Sequence, residues 1–289
     1  LSLHDDGLTG MSDPRSDVLI TVDELAARMS GDAGPVILDV SDNLETAPLE
    51  RPVIPGAFAI SLATDISGPA ANPGGRRPLP DPGVLQDNLR RRGINADSLV
   101  VVYDNNSGAQ AGRAWWTLRW AGHQNVRLLD GGLAAWTAAG HDTAAEPVHP
   151  TGGGDITVEP GGMPVIDADD AAAIARNGAL LDARGKTAYE GDADKPATGH
   201  IPGAICAGAR EVLGPDGNFK PTDELRALFA GFGVDGTQPA GVYCGSGNAA
   251  SFELAGLYAA GLEAPLYVGS WSDWTGDPAR PVAQGAERG

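Results

Sequence analysis

Ala240-Gly-Val-Tyr-Cys-Gly-Ser-Gly-Asn-Ala249 is the stretch on which the reading of this chain turns. Its first four residues form a short apolar run of the kind that makes a buried strand. Cys244-Gly-Ser-Gly247 reads as a tight loop, and beyond it Ala250, Leu254, Leu257 and Tyr258 recur at helical spacing. Strand, loop and helix in that order are the unit of a parallel α/β sheet, in which ligands sit beyond the carboxyl ends of the strands. The Cys244 thiol lies at that end, facing a helix N-terminus whose dipole and unpaired N–H groups favour the thiolate, the nucleophilic form of cysteine. Gly245 and Gly247 allow the backbone to curl with its amides inward. Ser246 adds a hydroxyl within reach of the sulfur or of a substrate oxygen.

Outward from this stretch, the chain repeats itself. Val102-Tyr-Asp104 recurs 140 positions later as Val242-Tyr-Cys244, so Asp104 stands where the second copy has its cysteine. Val36-Ile-Leu-Asp39 returns as Ala179-Leu-Leu-Asp182, and Ile54-Pro-Gly-Ala57 as Ile201-Pro-Gly-Ala204. Gly131-Gly-Leu-Ala-Ala-Trp136 returns as Gly269-Ser-Trp-Ser-Asp-Trp274. Four matches in one order mean a duplicated chain. Each copy alternates short apolar runs with helical patterns, which predicts two α/β domains, each a parallel sheet covered by helices on both faces. Thr21-Val-Asp-Glu24 is a capping box opening a helix that carries Leu25 and Met29, and Asp167 with Asp170 is its weaker counterpart. Leu99–Val102 reads as a buried strand, followed by a helix with Ala111, Ala114, Trp115 and Leu118 on one face. His149-Pro-Thr-Gly-Gly-Gly154 and Pro160-Gly-Gly162 are linker chemistry. The expected division is a domain over 15–142, a linker over 143–162 and a domain over 163–285.

The 289 residues are enough for two cores, and 42% hydrophobic with 20% charged residues describes a globular chain. No run approaches the roughly 20 apolar residues of a membrane helix. The start shows neither a basic nor an apolar leader region, so no secretory signal is expected; Met11-Ser12 reads as the natural start and residues 1–10 as a foreign remnant. Acidic residues outnumber basic ones 38 to 20, a formal charge of −18 that argues against nucleic acid and anionic membranes as partners. A small anionic substrate would therefore need a locally positive site. Two cysteines make no disulfide framework, and no Cys/His spacing suits a metal. A reducing cytoplasm is the expected setting.

At His200-Ile-Pro-Gly-Ala204, the Cys244-Gly-Ser-Gly247 loop, and Gly269-Ser-Trp271 followed by Trp274, the sequence resembles the rhodanese-like sulfurtransferases, and within them the 3-mercaptopyruvate branch. Thiosulfate-preferring members carry basic residues just after the cysteine; here Gly and Ser stand there. The resemblance implies tandem domains with a silent first copy and a two-step transfer through a Cys244 persulfide. A small anionic donor loads the sulfur, and a thiol such as thioredoxin, a small thiol or cyanide collects it. It implies no metal or organic cofactor. It also implies that the loop residues Gly245, Gly247, Asn248 and Ala249 cradle the persulfide, that Ser246 assists Cys244, and that Arg184 binds the donor carboxylate.

The chain departs from the branch in several places. Asn248 and Ala249 replace a usual Val and Thr. The branch's first-domain His corresponds to Arg77 in Gly75-Arg-Arg-Pro78, and its Asp falls near Ala63, with Asp65 close by. Arg76 or Arg77 is expected to supply positive potential instead. A second substrate arginine is missing, and Lys186 offers only a point charge. Cys206 reads as packing, His200 as fixing its turn, Asp104 as a relic, and Trp136, Trp271 and Trp274 as core and interface aromatics. A cysteine phosphatase would need an arginine at position 250, which is Ala. The competing reading from another class is a non-catalytic sulfur carrier, which would keep Cys244 but turn over no donor.

Overall fold

The computed structural model describes residues 13–31, 34–41, 51–195 and 197–289. The proposed start at Met11 lies outside the described residues. Among the described residues, ten strands form two five-stranded sheets, parallel throughout. The first contains β1 (Leu19–Ile20), β2 (Val36–Ser41), β3 (Phe58–Ser61), β4 (Val100–Tyr103) and β5 (Val126–Leu129), in the order β1-β5-β4-β2-β3. The second contains β6 (Val165–Ile166), β7 (Ala179–Asp182), β8 (Ile205–Cys206), β9 (Ala240–Tyr243) and β10 (Leu266–Tyr267), in the matching order β6-β10-β9-β7-β8. The repeat read from the sequence is thus a repeat of topology. Helices α1 (Pro14–Val18), α2 (Val22–Met29), α3 (Pro82–Arg91), α4 (Ala109–Trp120) and α5 (Gly132–Ala138) accompany the first sheet. With the second go α6 (Ala168–Asn177), α7 (Lys186–Glu190), α8 (Thr222–Gly231), α9 (Asn248–Ala259) and α10 (Ser270–Trp274).

Each repeated motif has a local physical reason. Asp39 pairs in register with Tyr103, and Asp182 with Tyr243, on the central strands of their sheets. The tyrosine hydroxyls accept the Ile54 and Ile201 N–H groups, at 3.0 and 3.1 Å, and so anchor the two Ile-Pro-Gly-Ala turns. Gly56 and Gly203 turn those corners with φ of 80° and 90°, values that L side chains resist. Trp136 and Trp274 each tie their indole N–H to a carbonyl just beyond their helix, Asp142 and Pro281. Both capping boxes form, at Thr21/Glu24 and Asp167/Asp170.

One difference from the sequence reading concerns α4. Its apolar residues were expected on one face, yet every residue from Ala111 to Trp120 is buried. The second face packs against α9 of the other domain, so closely that a Cβ on Gly112 would stand 2.6 Å from the Phe252 Cα. Trp115 and Trp116 are wholly buried at this seam. Burying about 150–250 Å² each is worth ~4–6 kcal/mol apiece in transfer free energy. A second contact docks Gly74 and Arg76 on α10: the Gly74 N–H donates to Asp273 (2.7 Å) and the Arg76 N–H to Ser272 Oγ (3.0 Å). Residues 149–162 carry no strand or helix but bond back to the first domain. The amides of Gly152, Gly154, Ile156, Glu159 and Gly161 donate to carbonyls of Arg91, Arg90, Ile94, Ala121 and Trp120.

Candidate active site

Cys244 follows β9 directly and is 3% exposed. Its N–H donates to Ser270 Oγ (3.2 Å), and the Ser270 hydroxyl donates to the Tyr267 carbonyl (2.8 Å). The N–H groups of Trp271 and Ser272 donate to the carbonyls of Cys244 and Gly245. The start of α10 therefore fixes the outer wall of the loop. Ser270 holds φ at 54°, a left-handed conformation that costs a non-glycine residue about 1–3 kcal/mol. Gly247, at φ 86°, turns the chain into α9 and donates its N–H to Cys244 Sγ at 3.1 Å. The next amides, at the first turn of α9, have no intrahelical acceptor.

The first domain holds the counterpart. Asp104 follows β4, and Gly108 at φ 81° opens α4 as Gly247 opens α9. Asp104 Oδ1 accepts the N–H groups of Asn106 and Gly108, and Oδ2 those of Gln110 and Ala111, all at 2.9–3.0 Å. The amide cradle of this loop is filled by the chain's own carboxylate. The loop that holds Cys244 is one residue shorter and has a sulfur where that carboxylate begins.

Arg76 and Arg113 stand against the Cys244 loop with Arg77 beside them, and Arg184 borders a cleft between Trp271 and α7. A Cβ added to Gly245 would stand 3.2 Å from Arg76 Nη2, which places that exposed guanidinium at the loop mouth. Arg77 turns toward Arg113, whose Nη2 donates to the Arg77 carbonyl at 3.1 Å. Arg113, on α4 of the first domain, is wholly buried, and a Cβ on Gly247 would stand 2.6 Å from its Nη1. Burial pushes its pKa down to about 10; the Cys244 charge acts against that fall and Arg77 adds to it. Arg184 forms a two-pronged ion pair with the fully buried Asp182 (Nε to Oδ1 2.8 Å, Nη2 to Oδ2 2.5 Å) and donates to the Gly199 carbonyl. Burial opposes its charge, but the bonds to Asp182 outweigh it and raise its pKa. Its guanidinium also lies over the Trp271 ring at 4.5 Å. Arg184 borders a cleft of about 330 Å³ shared with Thr187, Lys195, Thr198 and Trp271. The first domain has the same ionic arrangement, Arg51 on Asp39, so the pairing itself is a feature of the fold.

Other residues singled out from the sequence lie elsewhere. Asp65 is paired with Arg92 at 2.6 Å and accepts the Ser61 N–H, inside the first domain. Lys186 reaches Glu190 at 3.6 Å on an exposed turn. His200 is buried, stacked on Tyr189 and bonded through Nδ1 to the Tyr189 carbonyl. Cys206 ends β8 opposite Asp182, and burial with that carboxylate raises its pKa. Ser246, Asn248 and Ala249 line the loop half-buried, and the Asn248 Oδ1 has no partner among the described residues. The sequence reading missed Arg113, Ser270 and Glu253, a wholly buried carboxyl on α9. Burial first, and then Asp182, Glu211 and Cys244, push the Glu253 pKa well up.

The site is a buried thiol on an amide-lined loop at the carboxyl edge of a parallel sheet, with Arg76 and Arg113 against the loop. The rhodanese-like domain model matches twice, over residues 21–139 and 167–277, and the chain belongs to that family. It is 42% identical to a probable 3-mercaptopyruvate sulfurtransferase of Pseudomonas aeruginosa, over 92% of this chain and 98% of that one. A putative thiosulfate sulfurtransferase, SseB of Mycobacterium tuberculosis, is 40% identical over 94% and 98% of the two chains. Among solved structures, the 3-mercaptopyruvate sulfurtransferase SseA of Escherichia coli superposes with a TM-score of 0.74 at 28% identity, covering 88% of this chain and 98% of its own.

Proposed function

We propose that this chain is a sulfurtransferase that moves a sulfane sulfur from a small anionic donor, 3-mercaptopyruvate before thiosulfate, to a thiol or to cyanide. The Cys244 thiolate attacks the donor sulfur and forms an S–S bond. The C–S bond breaks with its electron pair left on carbon, and that carbon takes the thiol proton and leaves as pyruvate. The thiolate of an acceptor, a small thiol or a thioredoxin-like protein in a reducing cytoplasm, then attacks the outer sulfur. The S–S pair returns to Cys244. Covalent transfer of this kind gives ping-pong kinetics.

The Asp104 loop is the observation that carries this reading. In Asp104 a carboxylate oxygen lies two bonds from Cβ, as the outer sulfur does in a cysteine persulfide. Its amide partners Gly108, Gln110 and Ala111 correspond, 139 residues on, to Gly247, Ala249 and Ala250. The silent loop is thus a picture of the loaded site with oxygen in place of sulfur, and preorganised amides are what a developing anion needs. Gly245, Gly247, Asn248 and Ala249 form the cradle, and Ser246 stands ready to bond donor or sulfur. Arg76, Arg77 and the free edge of Arg184 supply the positive field for the donor carboxylate. The same comparison supports reading a silent domain over 15–142 and a live one over 163–285. Side-by-side kcat/KM values for 3-mercaptopyruvate and thiosulfate with a thiol acceptor test the donor. A preference for thiosulfate overturns the branch and leaves Cys244 in place.

A further inference from the structure

The two domains face each other through α4 and α9, and equivalent residues of those helices meet the opposite loop. Gly108 and Gly247 are equivalents, 139 residues apart, each at left-handed φ where its loop enters its helix. Arg113 and Phe252 are equivalents at the same spacing. A Cβ on Gly108 would run into the Phe252 ring, and a Cβ on Gly247 would run into the Arg113 guanidinium. Each domain therefore caps the other's loop with the same helical position, by a phenyl ring on the silent side and by a cation on the live side.

The asymmetry follows the charge. The silent loop carries a carboxylate already satisfied by four amides, and an apolar cap suffices there. In the live loop one amide, that of Gly247, reaches Cys244 Sγ. Arg113 lies there wholly buried, with Nε and Nη1 lacking any partner among the described residues. A desolvated guanidinium with donors unspent is costly unless an anion is nearby. Its Nη2 donates to the Arg77 carbonyl, and the Trp116 ring stands 5.6 Å from its Cζ. The charged and titratable groups around this junction are Arg76 and Arg77 from the segment before α3, Cys244 from the loop, and Glu253 from α9.

We propose that Arg113 is a positioning residue for the Cys244 anion: the silent domain lends the live one the cation that keeps Cys244 and its persulfide ionised inside a buried loop. The proposal rests on the persulfide reading for its second half only; its action on the free thiolate stands apart from it. It gives the silent domain a chemical task beyond shaping the mouth of the site.

The test uses the full chain in a Cys206→Ser background, so that alkylation reports Cys244 alone. Arg113→Met, Arg113→Gln and Arg113→Lys are compared with the parent for iodoacetamide alkylation at pH 7 and at pH 10, and for Tm. The neutral variants should alkylate at least about tenfold more slowly at pH 7, or 1.36 kcal/mol per tenfold, and recover to within about twofold at pH 10. Arg113→Lys should regain most of the loss. The Tm of the neutral variants should hold or rise, since a buried, under-bonded charge has been removed. A merely structural arginine gives the opposite pattern: lower Tm with the pH 7 rate unchanged, or a loss that persists at pH 10, and either result overturns the proposal. If the neutral variants do not fold, the Arg113 Nε–H resonance in the parent protein decides: it should shift when Cys244 is alkylated, and an unmoved resonance overturns the proposal. A parent protein that alkylates as expected but takes up no sulfur from donor refutes the persulfide reading alone.

Discussion

Replacing Asp104 with alanine removes a carboxylate that accepts four amide hydrogen bonds while only 5% exposed. No side chain remains to take those N–H groups, and two of them, on Gln110 and Ala111, belong to the first turn of α4. A hydrogen bond to a charged group contributes about 1.5–3 kcal/mol, and the four share one charge, so the whole set is worth ~3–5 kcal/mol. In a domain of this size 1 kcal/mol moves Tm by roughly 2–8 °C, so the expected fall is about 6 °C or more. Asp104→Asn keeps one oxygen for two of the donors and should lose about half as much. Thermal unfolding by circular dichroism reads the stability, and kcat/KM per folded molecule at 25 °C reads the activity. Activity should stay within about twofold of the parent if, as proposed, the Asp104 loop is silent. A Tm drop of under about 2 °C would refute the filled-cradle account of the silent loop. A kcat/KM loss beyond tenfold in folded Asp104→Ala would refute its silence.

Two further outcomes follow from the buried charges. Glu253 has its pKa raised, chiefly by burial, so the folded state binds a proton that the unfolded chain has released once pH passes the ordinary carboxylate value. Stability then falls as pH rises toward the folded pKa, and neutral Glu253→Gln should lack that slope: its Tm should match the parent below the ordinary carboxylate pKa and exceed it increasingly as pH rises above it, whereas a constant gap contradicts the assignment. Arg184→Gln strands the fully buried Asp182 and should cost about 3–5 kcal/mol by urea unfolding. Arg184→Lys, which keeps the charge and loses the fork, should retain more stability yet raise the KM for 3-mercaptopyruvate several-fold, and an unchanged KM removes Arg184 from the donor site.

What the sequence made legible is what is local. The strand Ala240–Tyr243, the two capping boxes and the tied Ile-Pro-Gly-Ala turns are set by neighbours within one repeat, and repetition displayed each of them twice. What lay hidden is what one domain does for the other. Arg113 reads as a polar-face residue of an amphipathic helix until α9 covers that face; the available signal was its repeat partner, Phe252, a ring where this copy has a charge. Ser270 was visible as part of Gly269-Ser-Trp271, but its bond to the Cys244 N–H depends on a left-handed backbone that no pattern announces. For Arg184 the adjacent Asp182 was in plain view, and the Arg51–Asp39 pair shows that the fold uses such a bond with or without catalysis.

The central claim is that Cys244 carries the sulfur. Intact-protein mass spectrometry after mixing the reduced chain with 3-mercaptopyruvate, followed by peptide mapping, tests it most directly. The account predicts a gain of about 32 Da, one sulfur atom, on the Cys244 peptide, discharged by a thiol acceptor and absent in Cys244→Ser. Sulfur found on Cys206, or turnover that persists in Cys244→Ser, would contradict it.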